Sequence, residues 1–288
     1  MKKTNLFILG AIVLFLLSCS SGLKKTISDT NLSTEYISAW KKFYPSSAYS
    51  RGFLDSIFNF EDYSMEGILR WVDFNKKTLE TIENHLPQMQ TADRIDARLL
   101  RTQIISELEK WEVEAPHKNS LAFYASPISR AVSRILDTEG LQNGEKLRII
   151  RKRLQEIKTI CSTALQELEN GSPNSTERGL QTLERAAVFY QETLPERVTS
   201  WMNPQDVEVF KGECGAVAVQ IRSVADHVKN NIVPNLTLSE SQILGREKYA
   251  RQLGIYTDSS LTPEELERLA LDEIQKVRQE MALASEVY

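Results

Sequence analysis

Side chains able to do chemistry are few in this 288-residue chain. Its three histidines, His85, His117 and His227, stand far apart, and none falls in HExxH or another zinc-binding spacing. A helix end accounts for His85, where it complements the terminal carbonyls. A loop after Pro116 accounts for His117, and a position beside an apolar stripe for His227, so all three read as structural or solvated. Glu107, Glu109, Glu112 and Glu114 form an acidic run that reads as a wet helix face. Glu264, Glu265 and Glu267 cluster at a helix start, where negative charge is favourable without any catalytic purpose. There is no GxSxG, SxxK, phosphate-binding loop or dinucleotide fingerprint. The sequence therefore assigns no catalytic, cofactor-binding or metal-binding residue.

One residue does carry a chemical expectation. Lys2 and Lys3 precede an apolar run from Leu6 to Leu17, too short for a membrane span of roughly 20 residues. The run ends Leu16-Leu17-Ser18-Cys19, which resembles the bacterial lipobox, and Cys19 is expected to be lipidated after export. Several acyl chains on that cysteine hold a protein firmly where one chain would not. Ser20 follows in place of an aspartate, which by resemblance to enteric sorting rules points to the outer membrane, facing the periplasm. Cys161 and Cys214 would then lie in an oxidising compartment. Both fall on apolar helix faces; a disulfide between them and two separately buried thiols are both open.

The elements that must position these groups are helices. Apolar residues make up 41% of the chain, enough for a core, and nine prolines and twelve glycines fit long helices better than a turn-rich sheet. A net charge of −4 without basic clusters gives no electrostatic reason to bind nucleic acid. Residues 1–18 are read as a signal peptide, 19–34 as a flexible tether, and 35–288 as a helical domain. Tyr36, Ile37, Trp40, Phe43 and Tyr44 predict an aromatic helix stopping at Pro45. From Ser64, Ile68, Trp71, Val72, Asn75, Leu79, Ile82 and Leu86 keep the 3.6 period, and Ala97, Leu100, Ile104, Leu108 and Trp111 repeat it before Pro116. Ser126-Pro127 reads as a helix start, and Gly140 as a stop. Leu147 to Leu168 carries the cleanest stripe, with basic residues early and acidic ones late, an order that opposes the helix dipole and leaves packing to hold it.

Further on, Asn174 with Glu177 reads as a capping pair for the stripe Leu180, Leu183, Ala187, Tyr190 and Leu194. Asn203-Pro204 starts another helix with Val207, Phe210, Cys214, Val217, Ile221, Val224 and Val228 inside. Gly212 and Gly215 lie within it, as if to admit a close neighbour. Ser239 with Gln242 and Thr262-Pro263-Glu264-Glu265 resemble capping boxes, the second opening the stripe Leu266, Leu269, Ala270, Ile274, Val277 and Met281. The fold class expected is all-α, a multi-helix array of antiparallel amphipathic helices, read as an incomplete part of a larger fold.

Leu244-Gly245-Arg246-Glu247-Lys248-Tyr249 through Leu253, then Leu261-Thr-Pro-Glu-Glu-Leu266 and the helix ending Met281-Ala-Leu-Ala284, resemble a bacterial family catalogued as domain of unknown function 885. Ile95-Asp-Ala-Arg-Leu-Leu-Arg101 with Glu107-Leu108, Glu184 and Leu194-Pro195 agree with it. The resemblance implies exported helical lipoproteins similar to gluzincin zinc metallopeptidases. It also implies relatives roughly twice as long, whose zinc ligands lie beyond the matched region. No residue here maps onto those ligands, so no cofactor is expected in this chain and no hydrolysis by it alone. The partners expected are the membrane through Cys19, and a peptide or a missing carboxy-terminal half. The alternative is a non-catalytic helical binding or scaffold lipoprotein of the periplasm.

Overall fold

The computed structural model describes residues 29–236, 245–257 and 259–285, and among them there are helices and turns but no strand. The first group is α1 (Asp29–Phe43), α2 (Pro45–Ser50), a 3-10 turn (Leu54–Phe58), α3 (Met65–His85) and α4 (Thr91–Leu108). Helix α1 thus begins ahead of residue 34, where order was expected to start. Ser64 caps α3 through its Oγ, which accepts the Gly67 N–H at 3.1 Å. Pro87 falls in the turn that ends α3. Helix α4 runs into a π turn, Glu109–Glu114, that keeps Trp111 buried.

These helices pack antiparallel around an aromatic core of Tyr36, Phe43, Tyr44, Trp71 and Trp111, with Ile68, Ile82 and Ile104 filling beside them. Phe43 lies flat on Trp71, ring centroids 4.9 Å apart and planes 10° from parallel.

The second group is α5 (Pro116–Asn119), α6 (Leu121–Arg130), α7 (Ser133–Asp137), α8 (Asn143–Glu167), α9 (Pro173–Val188), α10 (Leu194–Val198) and α11 (Pro204–His227). Helix α9 packs against α6 and α11, and α8 against α11 and α6. Their core is mostly aliphatic: Ile128, Ile150, Leu154, Ile157, Leu183, Val217, Ile221 and Val224 are all closed to solvent. Each such side chain gains about 1.5–3 kcal/mol from burial, which is how α8 tolerates its unfavourable end charges. Tyr63 and Phe123 touch both cores, with ring centroids 4.4 Å apart, and join the two groups.

Several expectations about local starts are corrected. Pro127 does not open a helix; it lies inside α6, which starts at Leu121. Interior proline costs about 3 kcal/mol, but Leu121, Tyr124, Ala125 and Ile128 bury their stripe only if the helix runs through it. Asn174 is not a cap: Ser172 holds that position and Pro173 the first turn, where its missing N–H is harmless. Gly212 and Gly215 meet nothing, since a Cβ at either would enter open space. The close approach is at Gly179, where a Cβ would stand 2.8 Å from the Leu121 side chain and push α9 off α6. The Ser239/Gln242 pair lies outside the described residues.

The chain finishes with α12 (Arg246–Thr257) and α13 (Pro263–Ser285). The capping box at Thr262 forms: its Oγ1 accepts the Glu265 N–H at 3.2 Å, and Glu265 Oε2 accepts the Thr262 N–H at 2.8 Å. Those bonds to the charged form lower the Glu265 carboxyl below its ordinary range. Among the described residues no helix is long and apolar enough to cross a membrane.

Candidate functional site

Glu107 sits on the apolar stripe of α4, between Ile104 and Trp111, and is buried. Its Oε2 accepts the Tyr44 hydroxyl at 2.7 Å, the Trp71 indole N–H at 2.9 Å and the Trp111 indole N–H at 3.1 Å. Gln103 reaches the other oxygen at 3.4 Å. Lys110 and Trp111 also donate to the Tyr44 oxygen, at 3.0 and 3.1 Å. Burial, reinforced by the Glu107 charge, raises the Tyr44 phenol far above its ordinary range, so it remains a donor. Burial lowers the Lys110 ammonium, against the pull of Glu107 and Glu114. A carboxylate so supplied with donors is satisfied in place. It ties α1, α3 and α4 together and presents no reactive face.

The acidic run is therefore not one wet face. Glu107 points into the aromatic core, while its neighbours hold cations: Glu112 meets Lys76 at 2.5 Å, Glu114 meets Lys248 at 3.3 Å and Glu109 meets Arg251 at 3.6 Å. Gln252 adds a hydrogen bond to Glu114 at 3.4 Å. The Gly245–Gly254 stretch is thus seated by charge on the π turn that continues α4. Gly245 has φ of 71°, a left-handed conformation that favours glycine, and its carbonyl receives the Tyr249 N–H at 3.0 Å. No residue of α12 or α13 is buried. Along α13, Leu269, Ile274, Val277 and Met281 are all exposed, Ile274 by 48% and Met281 by 66%. These residues recur on one side of the helix, so α13 carries an apolar face that no described element covers.

Residues 45–287 match a family described as bacterial protein of unknown function, DUF885. The chain belongs to this family. The DUF885 match begins at α2 and runs through both cores to the end of α13, leaving α1 ahead of it. A solved structure, described as a candidate lipoprotein of unknown function from Shewanella oneidensis, has the same fold with a TM-score of 0.70 at 16% identity. The likeness covers 89% of this DUF885 chain and 47% of that one, so this chain spans about half its neighbour's length. No curated protein matches the sequence.

Cys19 lies outside the described residues of this DUF885 protein. The three histidines are held locally and apart from one another. His85 Nδ1 meets the Thr81 carbonyl at 2.7 Å, and His227 Nδ1 meets the Asn231 amide at 3.1 Å. His117, expected in a loop, is buried in α5 and stacked on Trp111 with centroids 6.2 Å apart. Burial lowers its pKa, favouring neutral imidazole. Among the described residues no three His, Cys, Asp or Glu side chains group closely enough to hold a metal, so zinc does not fit the residues placed here. Cys161 and Cys214 are free and buried on α8 and α11, and burial pushes each thiol up to about 12. Periodicity alone would have exposed Glu107 and Arg153, two charged residues standing on otherwise apolar stripes and both buried.

Proposed function

We propose that this chain is an exported lipoprotein, held to the outer membrane through Cys19, whose helical body is one half of a larger peptide-handling protein. It supplies one wall of a cleft and does not hydrolyse peptides alone. The observation that carries this reading is the bare apolar face of α13 on a chain that aligns with only 47% of its structural neighbour. A 23-residue helix with an apolar side gains little by facing water, so the complementary half is assigned to that face. The neighbour's description as a lipoprotein supports the anchor. The class of ligand, a peptide, follows from the resemblance to gluzincin zinc metallopeptidases read in the sequence.

The anchor is tested by Cys19→Ala, which should release the protein from the membrane fraction and abolish acyl labelling. For the second part, the carboxy-terminal half of a full-length family member is added to the purified chain. Hydrogen exchange at residues 263–285 and zinc-dependent peptide hydrolysis are then followed. Protection of α13 with the appearance of hydrolysis supports the reading. Saturable peptide binding with α13 left unprotected favours a non-catalytic binding or scaffold lipoprotein, and hydrolysis by the chain alone overturns the proposal.

A further inference from the structure

Adjoining hollows run along the side of the molecule where α2, α6, α7 and α9 meet. One of about 290 Å³ contains Arg51, Arg130 and Arg134; one of about 360 Å³ shares Ser126 and Arg130 with it and adds Arg178. A third of about 350 Å³ continues past Arg134. A small recess of about 20 Å³ opens off the first, sharing Arg130 and Arg134, and is lined by Arg153 of α8. Arginines thus outnumber carboxylates, Glu61 and Asp137, on the walls of a groove in a chain whose net charge is −4.

These guanidiniums keep donors to spare. The Arg130 side chain has no hydrogen-bonding or ionic partner among the described residues. Arg134 donates to the Ser46 carbonyl at 2.8 Å, Arg178 to the Asn174 carbonyl at 3.2 Å and Arg51 to the Ser47 carbonyl at 3.4 Å; none of them meets a carboxylate among the described residues. Arg153, which lines the recess, is 4% exposed, paired with Glu156 at 3.1 Å and bonded to the carbonyls of Ile57 and Asn59, yet its buried Nε has no partner among the described residues. A buried donor left open beside a hollow costs free energy unless something fills the hollow.

We propose that this groove binds an extended acidic peptide, its carboxylates seated on Arg130, Arg134 and Arg178. The arginine fork matches a planar carboxylate with two parallel hydrogen bonds, which a row of lysines would not do. Nucleic acid is disfavoured because the net charge is negative and Tyr63, an aromatic residue on the wall beside Arg130, is packed on Phe123 rather than free for a base to stack on. Glu61, held by the Ser46 N–H and hydroxyl at 3.0 Å each, leaves lone pairs for a peptide N–H and repels a densely charged polyphosphate more than spaced carboxylates. The proposal stands apart from the half-protein reading, needing neither hydrolysis nor a complementary polypeptide.

The test is fluorescence anisotropy of a labelled octaglutamate peptide with the detergent-solubilised full chain. Saturable binding is expected, falling as salt rises, with an octaglutamine peptide failing to bind. The double variant Arg130→Ala/Arg134→Ala should weaken binding at least tenfold, Arg130→Lys less, and Arg222→Ala on the exposed side of α11 should leave it unchanged. Unaltered helical circular dichroism checks that the variants fold; if the double variant does not, Arg130→Gln takes its place. Equal affinity for wild type and groove variants overturns the proposal. So does displacement of the peptide by inorganic polyphosphate at lower charge-equivalent concentration than unlabelled octaglutamate.

Discussion

Helices α11 and α13 are nearly the same length, both follow a capped proline start, and both carry an apolar stripe, yet they live in different surroundings. Phe210, Cys214, Val217, Ile221 and Val224 of α11 are closed to solvent between α8 and α9. Leu269, Ile274, Val277 and Met281 of α13 face water. What separates them is not amphipathicity but whether a second apolar face lies opposite. A stripe specifies that a helix can be buried, and its neighbours decide whether it is.

That contrast can be broken most forcefully by trimming one residue from each stripe. Ile221→Ala should cost about 2–5 kcal/mol because it removes packed methyl groups and leaves a cavity. Ile274→Ala should stay within about 0.5 kcal/mol. Urea denaturation of both variants checks it, and equal losses would mean that α13 is buried in solution.

Gly179→Ala should cost about 1–3 kcal/mol by driving a methyl into Leu121. Gly212→Ala in α11 should instead stabilise by about 1 kcal/mol, since a methyl meets open space and alanine favours helix. Opposite shifts of the thermal midpoint would separate a glycine needed for packing from one that is not.

The attachment of α12 and α13 should respond differently from the core. Glu109→Gln with Glu114→Gln removes the pairs to Arg251 and Lys248, which are partly exposed and worth less than about 1 kcal/mol each. Limited proteolysis should then cut near residues 245–257 sooner, as it should at high salt, while fragments containing α11 persist.

The smallest effect concerns the thiols of α8 and α11. With folded values near 12 against an ordinary 9.0, Cys161 and Cys214 hold their protons where the unfolded chain has released them. Their contribution to stability is therefore fully present below pH 9 and falls as pH rises towards 12. Site-resolved alkylation at pH 8 should be slower in the folded protein than in the denatured chain by on the order of a thousandfold, the ratio of the two thiolate fractions.

Much of the helical skeleton was legible because its signals are local. Ser64, Asn203 and Thr262 each accept the backbone N–H three residues on, as their positions foretell. Pro127 and Asn174 misled because burial and an adjacent proline outweighed a local preference. The acidic run misled because its members were taken together, although Glu107 alone falls in register with Ile104 and Trp111. The arginine groove left no mark on the sequence: Arg51, Arg130, Arg134 and Arg178 come from separate segments and meet only when α2, α6, α7 and α9 pack.

By itself the sequence determined that the described chain is helical, where most helices begin, which side of each is apolar, and to which family the protein belongs. Only the tertiary structure decided that a glutamate would be enclosed by Tyr44, Trp71 and Trp111, that Gly179 and not Gly212 would admit a neighbour, and that α13 would stand uncovered. Hydrogen bonds and caps act within a few residues and can be read along the chain. Burial is a relation between surfaces distant in sequence, and no single segment records its partner.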